Sequence, residues 1–595
     1  MNKEQLFEFH VRNNWFKISR YYNQVAAQYD MSFSWGFILL NIEKEGTPST
    51  ALGPKMGMEP TSLSRTLKNM EEKGLIRRQA DAVDKRKSLV FLTNEGVLKR
   101  KMARDVVLGF NEKVYESLPK TKVKAFFEVM EKVDVLLTDL LEDNKVFEKN
   151  GYLHDAGPTL ITAPFLFNEL FELFDEKRED YLEFKAINPW YRFYFHTGET
   201  FDYCDTIEAT HAEINKFNPK DVKNYDRLLK FSEAIFDIGF TKLADTAFLK
   251  FSNMIRQFPN IIRLKGYRTV FKFVSHYLEH PLLRRAFSIH PLLVGGNPFD
   301  TTSIYSLIHF LERKWGVYFC MGGTGKLIKE LHNLMLRNGI ELELMTDIDS
   351  IEVKDKKVRS ITSKSGKRFE AETFIFNSDP PTVYRELMPK RHRKNKKFLP
   401  ECLTSYSMGL FVLFFGTKIQ YADMAHHTIW MGKRYKSLLN DIFNKKILAD
   451  DFSLYIHRPT ATDVSFAPKG HDSFYVLCPV PNLLGNIDWD IEGPRLRDRI
   501  IKALESTIMP NLSKVYEDDF FMTPEDFATN YRTMHGTGFS IAPSLTQSAW
   551  FRYHNQDPDL SNLYFSGAGT HPGAGMPGVL CSAKVVENLM KRNWK

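Results

Sequence analysis

Residues Ser566–Val579 read SGAGTHPGAGMPGV, between the apolar run Leu563-Tyr564-Phe565 and a stretch of helical character, Leu580–Arg592. Five glycines at an apolar strand-to-helix junction let a backbone lie against a flat, charged ligand with no side chain in the way. Pro577 suits the first position of the following helix, whose free N–H groups and positive dipole end would face that ligand. A Gly-rich surface turn is the alternative for such a string taken alone. The flanking strand and helix favour a dinucleotide site, and the position near the C-terminal end makes it one side of such a site.

With 595 residues, more than one domain is expected. The 48 Phe and 24 Tyr suit a large apolar cavity. A net charge of +8 permits nucleic acid or anionic lipid as a partner without requiring either. Five cysteines stand far apart with no CxxC pair, which argues against a zinc site or a disulfide framework and fits a reducing cytosol. No run approaches the roughly 18 apolar residues of a membrane span, and the start MNKEQLFEFHVRNNW is too polar for a signal peptide. A cytoplasmic protein is expected, with peripheral contact to the inner face of the cytoplasmic membrane.

Composition shifts near Leu141–Lys145. Before it, helical patterns alternate with a basic hairpin: helices at Lys3–Tyr29, Ser34–Lys44, Ser49–Met56 and Pro60–Lys73, strands at Leu75–Gln79 and Ser88–Leu92, then long helices to about Leu141. Pro60 opens the fourth helix, Gly74 closes it, and Leu63, Leu67 and Met70 give it a buried stripe. Thr61, Ser62, Arg65, Lys68 and Asn69 then project from its other faces, as a helix in a major groove requires. Arg77 and Arg78 stand at the base of a loop carrying Asp84, Lys85, Arg86 and Lys87. Each piece alone also reads as a solvated helix face or a charged hairpin tip. In this order they resemble the winged-helix regulators of the MarR type, and KGLIRRQADAVDKRKSLVFLTNEG (Lys73–Gly96) looks like the wing signature of that family. The resemblance implies a homodimer built from the first and last helices and binding to double-stranded DNA. It places Thr61, Ser62, Arg65, Lys68 and Asn69 toward the major groove, and Arg77, Lys85, Arg86 and Lys87 in the wing.

After Val146 come Gly/Pro turns, strands and aromatic-rich helices. Gly322-Gly323-Thr324-Gly325-Lys326 leads into a helix, Leu327–Asn338. It is not a P-loop, because Leu327 stands where Ser or Thr is required and the first glycine is missing. Strands are expected at Ile340–Met345, Ser350–Lys354 and Thr373–Phe376, with a hairpin at Ser365-Gly366. The strings DAGPTLIT (Asp155–Thr162), HPLLVGGNPFDTTSIYSLIHFLERKWGV (His290–Val317), GGTGKL, NSDPPTVYRELM (Asn377–Met388), DFSLYIHRP (Asp451–Pro459), LTQSAWFRYHN (Leu545–Asn555) and GAGTHPGAGMPGV closely resemble the bacterial phytoene desaturases. These are flavoenzymes that share an architecture with the amine oxidases. The resemblance runs from about Val146 to Asn588. It implies FAD-dependent desaturation of phytoene or a related carotenoid precursor, with hydride passing to the flavin while a proton leaves the neighbouring carbon. It also implies FAD contacts at Ile348, Gly567, Gly569, Thr570, Gly575, Met576, Pro577, Gly578 and Val579. The basic-aromatic stretch Phe248–Phe273, with Arg256 as a candidate catalytic residue, reads as a membrane-contact and substrate-uptake region or as a solvated amphipathic helix. His426-His427 is not read as a metal site, because adjacent residues diverge on a strand and no acidic ligand is near.

The family ordinarily begins with a strand, GxGxxG and a helix that grip the FAD pyrophosphate. No GxGxxG occurs between Met1 and Asp155. The expected protein is therefore multidomain. A mainly α winged helix-turn-helix domain at 1–144 precedes an α/β desaturase domain at 145–595, a truncated Rossmann-type FAD part plus a substrate part. The FAD-binding parts fall at about 145–165, 315–390 and 545–595, the substrate- and membrane-facing parts at about 166–314 and 391–544. The sheet should lack its first strands and FAD binding should be weakened. The competing reading is a DNA-binding regulator carrying a catalytically dead or polyene-sensing desaturase remnant.

Overall fold

Two residues of the string Leu92-Thr93-Asn94-Glu95-Gly96 fix the local geometry of the N-terminal unit. The Thr93 hydroxyl accepts from the Gly96 N–H (3.0 Å), capping the helix Asn94–Ser117, and donates to the Gly74 carbonyl (2.6 Å). Gly96 packs so closely that a Cβ there would stand 2.0 Å from the Leu75 carbonyl oxygen, so only glycine fits.

The computed structural model describes residues 7–29, 31–43, 46–49, 52, 60–80, 88–127, 129–130, 146–149, 151–392 and 404–593. They divide between two units, Met1–Leu140 and Leu141–Lys595.

In the first unit, helices Phe7–Ala27, Phe33–Leu40, Pro60–Glu72 and Asn94–Ser117 accompany an antiparallel sheet in the order Thr47–Pro48, Ser88–Leu92, Ile76–Ala80. Leu63, Leu67 and Met70 are buried with Ile38, Leu39, Ile42, Leu75, Ile76 and Val90 in one core, as the helical spacing predicts. The expected helix Ser49–Met56 lies mostly outside the described residues.

The second unit is built on a seven-stranded sheet. Its order is Tyr516–Met522, Gly409–Thr417, Asp472–Val480, Leu454–His457, His427–Met431, Tyr191–Phe195, Thr200–Tyr203. All neighbours are antiparallel except the pair Tyr191–Phe195 and His427–Met431. Every residue of Gly409–Thr417 is buried, which is why this strand reads as an unbroken apolar run instead of an alternation. A second region carries the antiparallel strands Ile348–Lys354, Lys357–Ser363 and Arg368–Glu370, the last two joined by the hairpin expected at Ser365-Gly366. Beside it, Phe374–Phe376 and Leu563–Phe565 form a two-stranded parallel sheet, and the helix Met576–Asn593 follows the glycine string.

No strand forms at Ile340–Met345, contrary to the sequence pattern. Ile340, Leu342 and Leu344 are 40, 37 and 42% exposed, and Met345 is 89% exposed. Alternating apolar residues settle as a strand only when a neighbour supplies hydrogen bonds and covers one face. Among the described residues no strand pairs with this segment, and Ile375 on the adjacent parallel pair is likewise exposed. The apolar pattern has outlasted the partner it needs.

Candidate functional site

The glycine string is held by side chains that reach its backbone from three directions. Arg552, 1% exposed, donates from Nη2 to the Ala568 carbonyl (2.5 Å) and the Ile541 carbonyl (3.2 Å). Its Nε and Nη1 donate to the carbonyls of Thr570 (3.0 Å) and Gln547 (3.2 Å). Asn555 donates to the carbonyls of Phe565 and His571 at 3.3 and 3.1 Å. From the following helix the Ser582 hydroxyl accepts the Gly567 N–H at 2.8 Å. Gly567 has φ +120°, and a Cβ on Gly569 would stand 2.4 Å from Pro380 Cδ. On Gly578 it would stand 2.6 Å from the Gly573 carbonyl oxygen. These glycines answer to packing within the protein, a correction to the expectation that the whole string is kept bare for a ligand.

A second cradle lies at the turn Asp155–Thr159. The buried Asp155 carboxylate accepts the Thr324 N–H (2.8 and 2.9 Å) and the Thr324 hydroxyl (3.3 Å), at the start of the helix Gly323–Arg337. The string that resembles a P-loop thus has its free N–H groups satisfied by the chain's own carboxylate. Burial raises the Asp155 carboxyl to about 7, against the opposing pull of the Thr324 and Gly325 donors.

Between these cradles runs a cavity of about 680 Å³ with a mainly apolar wall. Ala156–Thr159 and Ala574–Gly578 line one part of it, and Tyr305, Leu311, Met408, Phe414 and Phe539 line others. One polar cluster interrupts the wall: Glu312, 1% exposed, accepts from the Tyr191 hydroxyl at 2.7 Å and meets His290 Nε2 at 3.0 Å. Burial beside the carboxylate drives the Tyr191 hydroxyl well above its ordinary range, so it stays a donor. This cluster sets a carboxylate, a phenol and an imidazole together beside a mainly apolar chamber. Arg552, Asp155, Glu312 and Tyr191 were not singled out by sequence reasoning. The first three lie inside the strings that carried the family resemblance, but a polar residue in an apolar string does not announce that it is buried.

The structure separates the expected flavin contacts. Gly575, Met576, Pro577 and Gly578 line the cavity, whereas Gly567, Gly569, Thr570, Val579 and Ile348 do not. The helix starts at Met576, one residue before the expected Pro577. Arg256 is exposed on the helix Phe251–Arg263, while Met254, Gln257 and Ile261 of the same helix face the cavity. In the N-terminal unit, Arg65, Lys68, Asn69 and Arg77 are exposed. Arg78 is engaged by Glu71 at 2.6 Å, and the Arg77 guanidinium lies 4.7 Å over the Phe91 ring. The side chains of Thr61 and Ser62, and the whole of Lys85, Arg86 and Lys87, lie outside the described residues.

A glycine loop pinned against a parallel strand pair, opening onto an apolar chamber, is the arrangement of a flavin oxidoreductase. Residues 144–586 match the family of flavin containing amine oxidoreductases, and the chain belongs to it. Residues 37–88 match the MarR family. The chain is 44% identical over 447 residues to the lycopene-forming phytoene desaturase of Pseudescherichia vulneris, covering 75% of this chain and 91% of that protein. It is 44% identical over 446 residues to that of Pantoea ananas, with the same coverage. Putrescine oxidase bound to putrescine superposes over 76% of this chain and 90% of its own, with a TM-score of 0.49 and 10% identity.

The family implies FAD, and the residues present fit one end of it. Gly575–Gly578 and the start of the helix Met576–Asn593 offer backbone and a positive dipole end at the cavity wall, suited to a flavin ring. At the diphosphate end the fit fails. No GxGxxG precedes Asp155, and among the described residues the parallel pair Phe374–Phe376 and Leu563–Phe565 has no third strand.

The raised Asp155 carboxyl gives a stability signature with a definite sign. Its folded pKa lies above the ordinary carboxylate value, so the folded state holds the proton that the unfolded state has released. Stability should fall as pH rises from about 4 to about 7, by up to about 1.4 kcal/mol per unit from this group, and level off above. Urea titrations across that window should show a steeper fall for the wild type than for Asp155→Asn. Equal slopes would contradict the assignment.

Proposed function

We propose that the second unit takes up phytoene or a related carotenoid precursor in its apolar cavity and is built for FAD-dependent desaturation, with FAD affinity weakened by the incomplete diphosphate grip. The observation that carries this reading is the 680 Å³ apolar chamber with Gly575–Gly578 in its wall, in a chain 44% identical to lycopene-forming phytoene desaturases. That volume lies within the roughly 300–1,000 Å³ of small-molecule sites. When bound, FAD supplies the hydride acceptor. The chain's own residues exclude water from the polyene, present the helix end at Met576 toward the ring, and offer the Glu312–His290–Tyr191 cluster as a place for a released proton.

Uptake from a membrane surface is part of the proposal. On the helix Phe251–Arg263, Phe251, Ile255, Phe258 and Ile262 recur at helical spacing and are 48–61% exposed. Such a stripe, with Lys250, Arg256 and Arg263 nearby, suits an interface of lipid headgroups and acyl chains. Met254, Gln257 and Ile261, on the neighbouring face of the same helix, line the cavity, so an apolar substrate would meet the chamber beside the docking face.

We further propose that the first unit binds double-stranded DNA as a homodimer, with Arg65, Lys68 and Asn69 on the recognition helix. One observation favours a second reading, a regulator whose desaturase portion senses a polyene without turning it over. The chamber is formed although the diphosphate grip is incomplete, and a polyene needs only the chamber.

The visible spectrum of the chain purified from a phytoene-accumulating bacterium distinguishes these readings. Substoichiometric flavin that rises with added FAD, together with coloured product in the cells, is the expected outcome. Stoichiometric flavin after purification would overturn the weakened affinity, and bound colourless polyene without product would favour the sensing reading. For DNA, affinity should fall steeply with salt, and Lys68→Ala should reduce the slope of log affinity on log salt by about one. An unchanged slope would remove Lys68 from the interface.

A further inference from the structure

Three histidines come together in the middle of the seven-stranded sheet; none of them lines the cavity, although residues of its wall pack against them. His427 opens the strand His427–Met431 and is directly paired with His457, the last residue of the antiparallel strand Leu454–His457. His426 precedes its strand, so the alternation that would send it to the opposite face does not apply. Its ring stands 4.4 Å from that of His427 and 4.8 Å from that of His457, centroid to centroid. The expectation that neighbouring histidines diverge fails for this reason, and the third member arrives from 30 residues further along the chain.

All three are buried, at 5, 0 and 0% exposure. One nitrogen from each can be chosen so that the three lie within 4.8 Å of one another. Their hydrogen bonding is lopsided. His426 Nδ1 bonds the Thr462 hydroxyl at 2.6 Å, and His427 Nδ1 bonds the Tyr455 hydroxyl at 2.8 Å. The Nε2 atoms of both have no hydrogen-bond partner, and the His457 ring makes no well-formed hydrogen bond, only a loose approach to the His426 backbone. A buried polar atom left so is destabilising, and several in one place are a heavy penalty unless something answers them.

We propose that His426, His427 and His457 form a binding site for a divalent late first-row cation, zinc in type, through Nε2 of the first two and one ring nitrogen of the third. Three imidazoles are a sufficient protein donor set for zinc, with a fourth position left to water or a small anion. The arrangement of the other nitrogens suits the task. A metal-bound histidine donates its remaining ring N–H to an oxygen, and Thr462 and Tyr455 supply those oxygens for His426 and His427. Tetrahedral coordination at zinc–nitrogen lengths of about 2.0–2.1 Å puts ligand nitrogens about 3.3 Å apart, so the rings close inward on binding.

The surroundings keep the donors ready. All three imidazoles are buried, and among the described residues no acidic side chain is hydrogen-bonded to them. The nearest cation, Arg458, is matched by Asp472 at 2.8 Å and does not stand as an unpaired charge beside the site. The rings of Phe319, Tyr191 and Tyr475 pack around the cluster.

The site connects to the chamber through one side chain. The Tyr455 hydroxyl bonds both His427 Nδ1 and the Thr159 hydroxyl, each at 2.8 Å, and Tyr455 and Thr159 line the cavity. Metal on His427 Nε2 fixes the proton on Nδ1, which then donates to Tyr455. The Tyr455 hydroxyl turns its own proton toward Thr159, so occupancy sets the polarity of the wall at Ala156–Thr159. The cation acts as a clamp on two central strands and a setter of that hydrogen-bond chain.

The test uses the full chain, stripped with chelator and titrated with Co²⁺ as a spectroscopic probe and with Zn²⁺. Expected are one tightly held equivalent of metal after desalting, intense cobalt ligand-field bands of a four- or five-coordinate site, and a rise in Tm with Zn²⁺. His457→Gln and His426→Gln should each lose the bands and the Tm rise, while His211→Gln, on a distant helix, should keep both. Wild-type chain that retains less than about a tenth of an equivalent, or shows only the weak spectrum of aqueous Co²⁺, overturns the proposal without reference to any variant. Retention of full binding by His457→Gln overturns it as well.

Discussion

A guanidinium that meets carbonyl oxygens instead of a carboxylate shapes the cofactor side of this protein. Arg552 is fully enclosed, and its three nitrogens reach four carbonyls, two of them, Ala568 and Thr570, inside the glycine string. Burying such a charge costs several kcal/mol, offset here by charge-assisted hydrogen bonds of about 1.5–3 kcal/mol each. Glycines give a chain freedom, which is a liability in a site that must keep one form. Arg552, Asn555 and Ser582 remove that freedom from three directions. The chamber wall at Gly575–Gly578 depends on that fixation, because it continues the same loop into the helix that follows.

The fixation owes nothing to the strands that would grip a diphosphate. Arg552, Asn555, Ser582 and Asn377 all lie in parts of the chain that the family match covers, and Asp155 closes the second cradle from within. Elsewhere in the unit the apolar residues Ile340, Leu342, Leu344 and Ile375 are exposed. The glycine string is thus held by the protein's own side chains.

The sequence made some of this legible and hid the rest for identifiable reasons. Leu63, Leu67 and Met70 were readable because helical burial repeats at a fixed spacing, and the hairpin at Ser365-Gly366 because turn residues are local. The strand expected at Ile340–Met345 fails because alternation needs a pairing partner, and among the described residues no strand pairs with this segment. Arg552 and Glu312 sat unremarked in quoted strings, since their partners are backbone atoms or residues more than a hundred positions away, such as Tyr191. His457 was hidden for the same reason: only the pairing of two strands brings it to His427. Family resemblance located the site, and long-range packing decided which residues do its work.

Backbone amide exchange along 563–579 in the flavin-free full chain tests the self-supporting cradle most directly. Amides there with protein acceptors include Phe565 to the Asn555 carbonyl, Ser566 to Phe376, Gly567 to the Ser582 hydroxyl, Thr570 to Gly567 and Val579 to Gly575. If the loop is held by the protein, these amides exchange only through large-scale unfolding, and Arg552→Met releases them selectively. Exchange in the wild type at the rate of an unstructured peptide would contradict the account, because the loop would then need the cofactor to take its form.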